Sequence, residues 1–153
     1  MDELDLADLF RKLGARDPDA WAQSQLQEGI PQLARFVFLR QAWRLLTSQP
    51  GRSWVAALKA QPAAIGPEAA AALDRIAAAG VTEEDLTAVV RIIERELLFS
   101  FCYLLSDPGD LEPEISDMAW GLFQVDEHGR PIAAIPGLHE SVLETDPEGG
   151  GAD

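Results

Sequence analysis

The first third of the chain has the apolar pattern of three α-helices. In residues 2–13, apolar side chains recur at the i, i+3, i+4, i+7 spacing, which places them on one side of a helix. Asp17 and Pro18 are residue types favoured at a helix N-cap and first turn, so a second helix should begin there and end near Glu28. The third helix, residues 31–47, carries apolar residues nearly all round, and we expect it to be buried on more than one side.

The middle of the chain predicts three more helices. They are a short helix over residues 54–60, an Ala-rich helix over residues 66–80, and a long helix over residues 82–105. Thr82 and Asp85 have the spacing of a capping box at the start of the long helix. Its apolar stripe predicts that it forms the centre of the core together with the third helix. The residues expected to be mostly buried are Phe36, Leu39, Trp43, Leu86, Val90, Ile93, Leu97, Phe101 and Leu104.

After Asp107 the helical period is lost. Residues 107–117 form an acidic segment interrupted by proline, for which we expect a loop. Residues 119–125 predict a strand, residues 126–129 a turn that contains glycine, and residues 130–135 the returning strand of a hairpin.

The size of the chain, 153 residues, fits one domain. Residues 137–144 predict one or two further helical turns, and residues 147–153 a mobile tail. The sequence therefore predicts a single domain over residues 1–146, an all-α bundle of five or six helices with a small C-terminal β-hairpin.

The charge is unevenly distributed. The net charge is -14, and residues 106–153 contain 12 acids but only one base, Arg130. Nucleic acids and anionic membranes are bound mainly through Lys and Arg, so neither is an expected partner. The N-terminus lacks a signal-peptide pattern, which favours a cytoplasmic location.

This layout predicts a non-enzymatic protein-interaction module, such as an immunity or adaptor protein, that binds a basic partner. The acidic segment is the expected contact region. Its candidate partner-binding residues are Asp107, Asp110, Glu112, Glu114 and Asp117.

The alternative is a small metal-binding protein or enzyme. His139, Glu140, Glu144 and Asp146 are the one group with metal-ligand residue types, although HExxH is absent because residue 143 is Leu. The alternative to a metal-binding role for His139 is a structural one, in which its side chain caps or packs a short helix. No phosphate-binding glycine loop or catalytic motif is present, so no cofactor and no catalytic residue is predicted.

The single cysteine, Cys102, has apolar neighbours and is expected to be buried, with its thiol pKa raised. Two arginine pairs have i, i+4 spacing, Arg40 with Arg44 and Arg91 with Arg95. Each pair either holds an anion or neutralises acids of the same chain, and we favour the second.

The stretches at residues 120–123, 125–129 and 138–147 resemble the C-terminal end of small uncharacterised bacterial proteins. This resemblance covers about the last third of the chain and implies no activity, so no functional residue follows from it. In composition alone the chain is similar to small acidic immunity proteins. A homodimer is a third hypothesis, because the helix over residues 33–46 is apolar enough to need additional cover.

Overall fold

The structure is a computed structural model that describes residues 2–46, 53–109 and 111–149. It confirms the predicted all-α fold with a C-terminal hairpin. The helices are α1 Glu3–Leu13, α2 Pro18–Glu28, α3 Gln32–Trp43, α4 Trp54–Lys59, α5 Pro62–Ala78 and α6 Glu83–Leu104; the strands are β1 Phe123–Val125 and β2 Pro131–Ala134; short 3-10 helices lie at Pro113–Ile115 and Leu138–Ser141.

The chain forms two compact units. The first comprises Met1–Trp43 and Leu97–Asp153, and the second comprises Arg44–Glu96. Helix α6 contributes residues to both. A single domain over residues 1–146 stays a prediction. Of the expected tail, residues 150–153 lie outside the described residues, while residues 147–149 form a turn in which the Asp146 carboxylate accepts a hydrogen bond from the Glu148 N–H at 2.9 Å.

The helix boundaries follow from the capping residues. The carboxylate of Asp2 accepts a hydrogen bond from the backbone N–H of Asp5 at 2.8 Å, and Asp17 does the same for Ala20 at 3.0 Å. Helix α1 ends at Gly14, whose φ of 90° is the left-handed conformation that glycine adopts without strain. The predicted ends of α1 and α2 therefore agree with the structure.

Helix α5 begins earlier than predicted. It starts at Pro62 rather than at Gly66, and Gly66 forms a kink with φ 77° and ψ 160°. A proline suits the first turn of a helix, and Pro62 and Pro67 both follow that rule on either side of the kink. The last predicted residue of the third helix, Thr47, lies outside the described residues.

The core of the first unit is centred on three aromatic rings. Phe10, Trp21 and Phe36 have ring centroids 5.3–5.7 Å apart, with both Phe36 contacts edge-on. Leu6, Ala7 and Ala22 complete this cluster, which brings α1, α2 and α3 together. Every residue from 31 to 40 is buried or half-buried, which confirms that α3 is covered on more than one side.

The predicted core holds for α3 but is wrong for much of α6. Phe36, Leu39 and Trp43 are buried, and Leu86 and Val90 are half-buried. By contrast, Ile93 is 60% exposed, Leu97 and Phe101 are each 54% exposed, and Leu104 is 45% exposed. The apolar period therefore did not identify the covered side of the last part of α6, where Cys102 is buried and Leu98 is half-buried.

The second unit contains α4, α5 and the first part of α6. The indole N–H of Trp54 donates to the hydroxyl of Thr87 at 2.7 Å, which ties α4 to α6. Lys59 pairs with Asp74 at 2.6 Å, which ties α4 to α5. Within residues 53–96, leaving Pro62 aside, no residue is fully buried.

The hairpin is antiparallel and pairs Phe123 with Ala134. A register shift next to Val125 marks a bulge. In the turn, Gly129 has a φ of 77°, and the Asp126 carboxylate accepts hydrogen bonds from the backbone N–H groups of His128 and Arg130 at 2.8 and 3.0 Å. The predicted strand–turn–strand order is confirmed.

Among the helices described, none has both the length and the apolar character required to cross a membrane.

Candidate interaction surface

The acidic segment, residues 107–117, lies between two contacts that the chain makes with the end of α6. At one end, the hydroxyl of Tyr103 contacts the carboxylate of Asp107 at 3.3 Å, and that carboxylate accepts a further hydrogen bond from the Gly109 N–H at 2.8 Å. At the other, the indole N–H of Trp120 donates to the backbone carbonyl oxygen of Leu104 at 2.6 Å. The chain thus leaves α6 and returns to it, with the acids on the loop in between.

The described acids of this loop are exposed. Glu112 and Glu114 flank the first residue of the 3-10 helix Pro113–Ile115, and Asp117 follows it. None of these three forms an ion pair with any residue that the structure describes. Asp110, the remaining predicted contact residue, lies outside the described residues.

The one base of the C-terminal third is already paired. Arg130 contacts the carboxylate of Asp126 through Nε and through its terminal nitrogen, each at 2.8 Å. The pKa of Asp126 is lowered, first by the backbone hydrogen bond from Arg130 and further by the bonds from His128 N–H and the Arg130 side chain. Arg130 therefore serves the hairpin turn and leaves the charge of the acidic segment unbalanced.

Exposed apolar side chains surround the same end of α6. Leu97, Phe101 and Leu104 follow the i, i+4, i+7 spacing on one side of the helix. Met118 and Trp120 are 52% and 42% exposed on the returning chain. Further exposed apolar residues of this unit are Ile115, Phe123, Val125 and Ile132.

His139 packs between aromatic rings. Its ring centroid is 5.0 Å from that of Tyr103 and 5.6 Å from that of Phe99, both in edge-on arrangements. Its Nδ1 is buried and has no hydrogen-bond partner within the described part of the chain. The ring thus contributes to the contact between α6 and the 3-10 helix Leu138–Ser141.

The other metal-ligand candidates have separate environments. Glu140 lies 3.9 Å from the guanidinium of Arg35, Glu144 accepts a hydrogen bond from Trp21, and Asp146 is buried and caps its own turn. Across the ranges 2–46, 53–109 and 111–149, no three His, Cys, Asp or Glu side chains are grouped so that they could hold a metal ion.

A polar cleft around Arg35 was not predicted from the sequence. The cleft has a volume of about 310 Å³ and is bordered by Trp21, Gln32, Glu140 and Glu144. Arg35 is only 5% exposed and donates to the carbonyl oxygen of Pro136 and to the Ser141 hydroxyl. Its position in a helix whose apolar residues lie nearly all round was the signal for a buried arginine that needs oxygen partners.

Burial shifts the pKa of two groups at this cleft. Desolvation lowers the pKa of Arg35, against the opposing charges of Glu140, Glu144 and Glu28. Desolvation also raises the pKa of Glu144, and the hydrogen bond from Trp21 opposes this shift. The arginine acts mainly to hold the C-terminal segment against α3.

The prediction for Cys102 is confirmed. The thiol is buried, and desolvation raises its pKa to about 11. Of the arginine pairs, Arg95 lies 3.6 Å from Glu96, and Arg40 borders a second cleft together with Glu144 and Asp146. The contact of Arg95 agrees with the preference for pairing within the chain, whereas pairing of Arg40 stays a prediction.

Compared with known proteins, the chain matches no family model, no curated protein and no solved structure.

Proposed function

We propose that this protein is a cytoplasmic, non-enzymatic interaction module that binds a basic partner protein through the acidic segment, residues 107–117. An immunity or adaptor protein is of this kind. The observation that carries the proposal is that Glu112, Glu114 and Asp117 are exposed and form no ion pair among the described residues, while Arg130 is held by Asp126.

Unpaired surface carboxylates contribute little to the stability of their own fold. A concentration of one charge on a surface instead accelerates association with a partner of opposite charge and selects against partners of like charge. The loop is attached to α6 at Asp107 and Trp120, so these acids are presented from a defined backbone.

The environments of the reactive side chains also support a non-enzymatic role. The Cys102 thiol is buried and its pKa is raised, which disfavours the nucleophilic thiolate. The His139 ring packs against Phe99 and Tyr103. In these positions both side chains serve packing.

The test compares two variants of equal net charge as affinity baits. One variant neutralises the acidic segment, with Glu112→Gln, Glu114→Gln and Asp117→Asn. The control neutralises three exposed acids elsewhere, with Glu3→Gln, Glu68→Gln and Glu84→Gln. Each bait is exposed to a native lysate of the source cells at about 50 mM and about 300 mM salt, since exposed charges are screened at the higher value.

We expect the wild type and the control to retain a basic protein at low salt and to release it at high salt. The variant of the acidic segment should not retain this protein. Equal retention of every captured protein by the two variants would overturn the proposal.

A further inference from the structure

The apolar side chains beside the acidic segment indicate what kind of basic partner fits. This inference rests on the proposed function and adds the shape and chemistry of the partner. We define the apolar face as Leu97, Phe101 and Leu104 on α6 with Met118 and Trp120 on the returning chain. All five side chains are between 42% and 54% exposed, and they lie in the same compact unit.

The fold itself gives no reason for this exposure. Burying large apolar side chains stabilises a protein, so five half-exposed residues forgo a substantial part of that stabilisation. Scattered single apolar residues are normal on surfaces, but grouped ones mark interaction sites. The hydrogen bond from Trp120 to the Leu104 carbonyl oxygen brings the two parts of the apolar face to the same end of α6.

The spacing on α6 favours a helix as the bound element. Leu97, Phe101 and Leu104 lie on one side of two helical turns, over about 10 Å at 1.5 Å per residue. Rows of this kind pack into the grooves between the side chains of a second helix. An amphipathic helix bound in this way presents its own apolar residues at i, i+3, i+4 and i+7.

The negative charge of the acidic segment favours a different protein, rather than a second copy of this chain, as the binding partner. A two-fold dimer uses the same patch on both subunits, so the acidic segments of both copies would be brought to one interface. Glu112, Glu114 and Asp117 would then meet like charges, which is unfavourable. A helix with Lys or Arg on either side of its apolar stripe meets both the apolar face and the acids favourably.

We infer that the apolar face and the acidic segment together bind a basic amphipathic helix of another protein. The apolar stripe of that helix covers Leu97, Phe101 and Leu104, and its basic residues lie against Glu112, Glu114 and Asp117.

The test measures binding of a fluorescein-labelled synthetic peptide to the full chain by fluorescence anisotropy. The probe is a helical peptide with leucines at i, i+3, i+4 and i+7 and lysines on both flanks. One comparison peptide has the same composition in an order without an apolar stripe, and another has glutamate in place of lysine. The probe should bind at least about tenfold more tightly than either comparison peptide, a difference of about 1.4 kcal/mol.

Protein variants separate this inference from the proposed function. The double variant Leu97→Ser with Phe101→Ser alters the apolar face, and its control alters two exposed leucines elsewhere, Leu4→Ser with Leu26→Ser. Far-ultraviolet circular dichroism verifies that both remain folded. The apolar-face variant should bind the probe at least about tenfold more weakly, and the control should bind like the wild type.

Three results would overturn the inference. If the apolar-face variant binds like the wild type while the variant of Glu112, Glu114 and Asp117 loses binding, the inference fails and the proposed function stands. If neither variant changes binding, both fail. If analytical ultracentrifugation shows a dimer that Phe101→Ser dissociates, a second copy of the chain occupies the face instead.

Discussion

The indole N–H of Trp43 donates a hydrogen bond to the backbone carbonyl oxygen of Val142 across an N···O distance of 3.1 Å. The hydroxyl of Thr145 accepts from the same indole at 3.2 Å. This contact joins the end of α3 to a segment almost one hundred residues later, and both Trp43 and Val142 are buried. The part of the C-terminal segment around Leu138 and Val142, both buried, is therefore part of the core.

Replacing Trp43 with Phe tests this contact. The phenyl ring retains most of the apolar burial but cannot donate to Val142, and it leaves part of the indole volume unfilled. We expect the free energy of unfolding to fall by about 1–3 kcal/mol. Urea denaturation measures the change, with Leu4→Ala at a 78% exposed position as the control. An unchanged denaturation midpoint for Trp43→Phe would mean that the contact contributes nothing.

Truncation of an apolar residue should destabilise the protein much more in α3 than in the last part of α6. Leu39 is fully buried, and Leu39→Ala should cost about 2–5 kcal/mol of unfolding free energy. Leu97 is 54% exposed, and Leu97→Ala should cost less than about 1 kcal/mol in the free protein. A loss at Leu97 equal to that at Leu39 would show that α6 is covered in solution, by this chain or by a second copy.

Local signals in the sequence were sufficient for the helices and the hairpin. Asp2, Asp17 and Gly14 fix helix ends through bonds that span only a few residues, and Asp126 and Gly129 do the same for the turn. Contacts of this range depend on residue type and spacing, which a sequence displays directly.

The missed features depend on long-range packing. The period of α6 identifies an apolar side, but whether that side meets the core or a partner depends on distant residues, and Leu97 and Phe101 proved exposed. Arg35 meets Pro136 and Ser141, which are about one hundred residues away and show no pairing pattern with it in the sequence. The exposure of Glu112 and Glu114, by contrast, agrees with the prediction of an acidic loop.

Glu144 should make stability depend on pH. Because its pKa is raised in the folded state, that state binds the proton more tightly than the unfolded chain, for which the ordinary value is 4.5. The ionised carboxylate thus weakens the fold, and its contribution to stability increases as the pH falls from neutral through the raised pKa. Glu144→Gln should raise the melting temperature at pH 7, and this difference should disappear below about pH 4.5.

Asp126 should make stability depend on pH in the direction opposite to that of Glu144. Its pKa is lowered in the folded state, so its ionised form stabilises the turn above the unfolded pKa and this contribution is lost as the pH falls through the folded value. Asp126→Asn should lower the melting temperature at pH 7 and have less effect in acid. Melting curves of the two variants from pH 4 to pH 7 measure both trends, and parallel curves for Glu144→Gln and the wild type would contradict the Glu144 prediction.

Cys102 should react slowly with thiol reagents in the folded protein. With a pKa of about 11, roughly one thiol in a thousand is ionised at pH 8, and the side chain is also buried. We expect the folded protein to react with a disulfide reagent at least about a hundredfold more slowly than the protein in urea. Absorbance of the released thiolate gives both rates, with Cys102→Ser as the blank. Equal rates would place Cys102 at the surface.

Moderate salt should stabilise the protein, because the C-terminal third has an excess of negative charge. Residues 106–153 contain 12 acids and one base, and that base, Arg130, is paired with Asp126. Repulsion between the remaining carboxylates disfavours the compact state. Salt at about 0.15 M screens exposed charges beyond about 8 Å, so the melting temperature should rise between about 20 and about 200 mM sodium chloride.

The variant with Glu112→Gln, Glu114→Gln and Asp117→Asn shows whether the acidic segment is the source of this effect. Removing three carboxylates from the segment should raise the melting temperature at low salt and reduce its increase with salt, because less repulsion is left to screen. The control with Glu3→Gln, Glu68→Gln and Glu84→Gln should retain the salt dependence of the wild type. If the melting temperature of the wild type falls with salt, stabilising ion pairs outweigh the repulsion between carboxylates. The most direct candidates are ion pairs of acids of the chain with Arg40, Arg44, Arg91 and Arg95. The acidic segment would then lack the unbalanced charge on which binding of a basic partner depends.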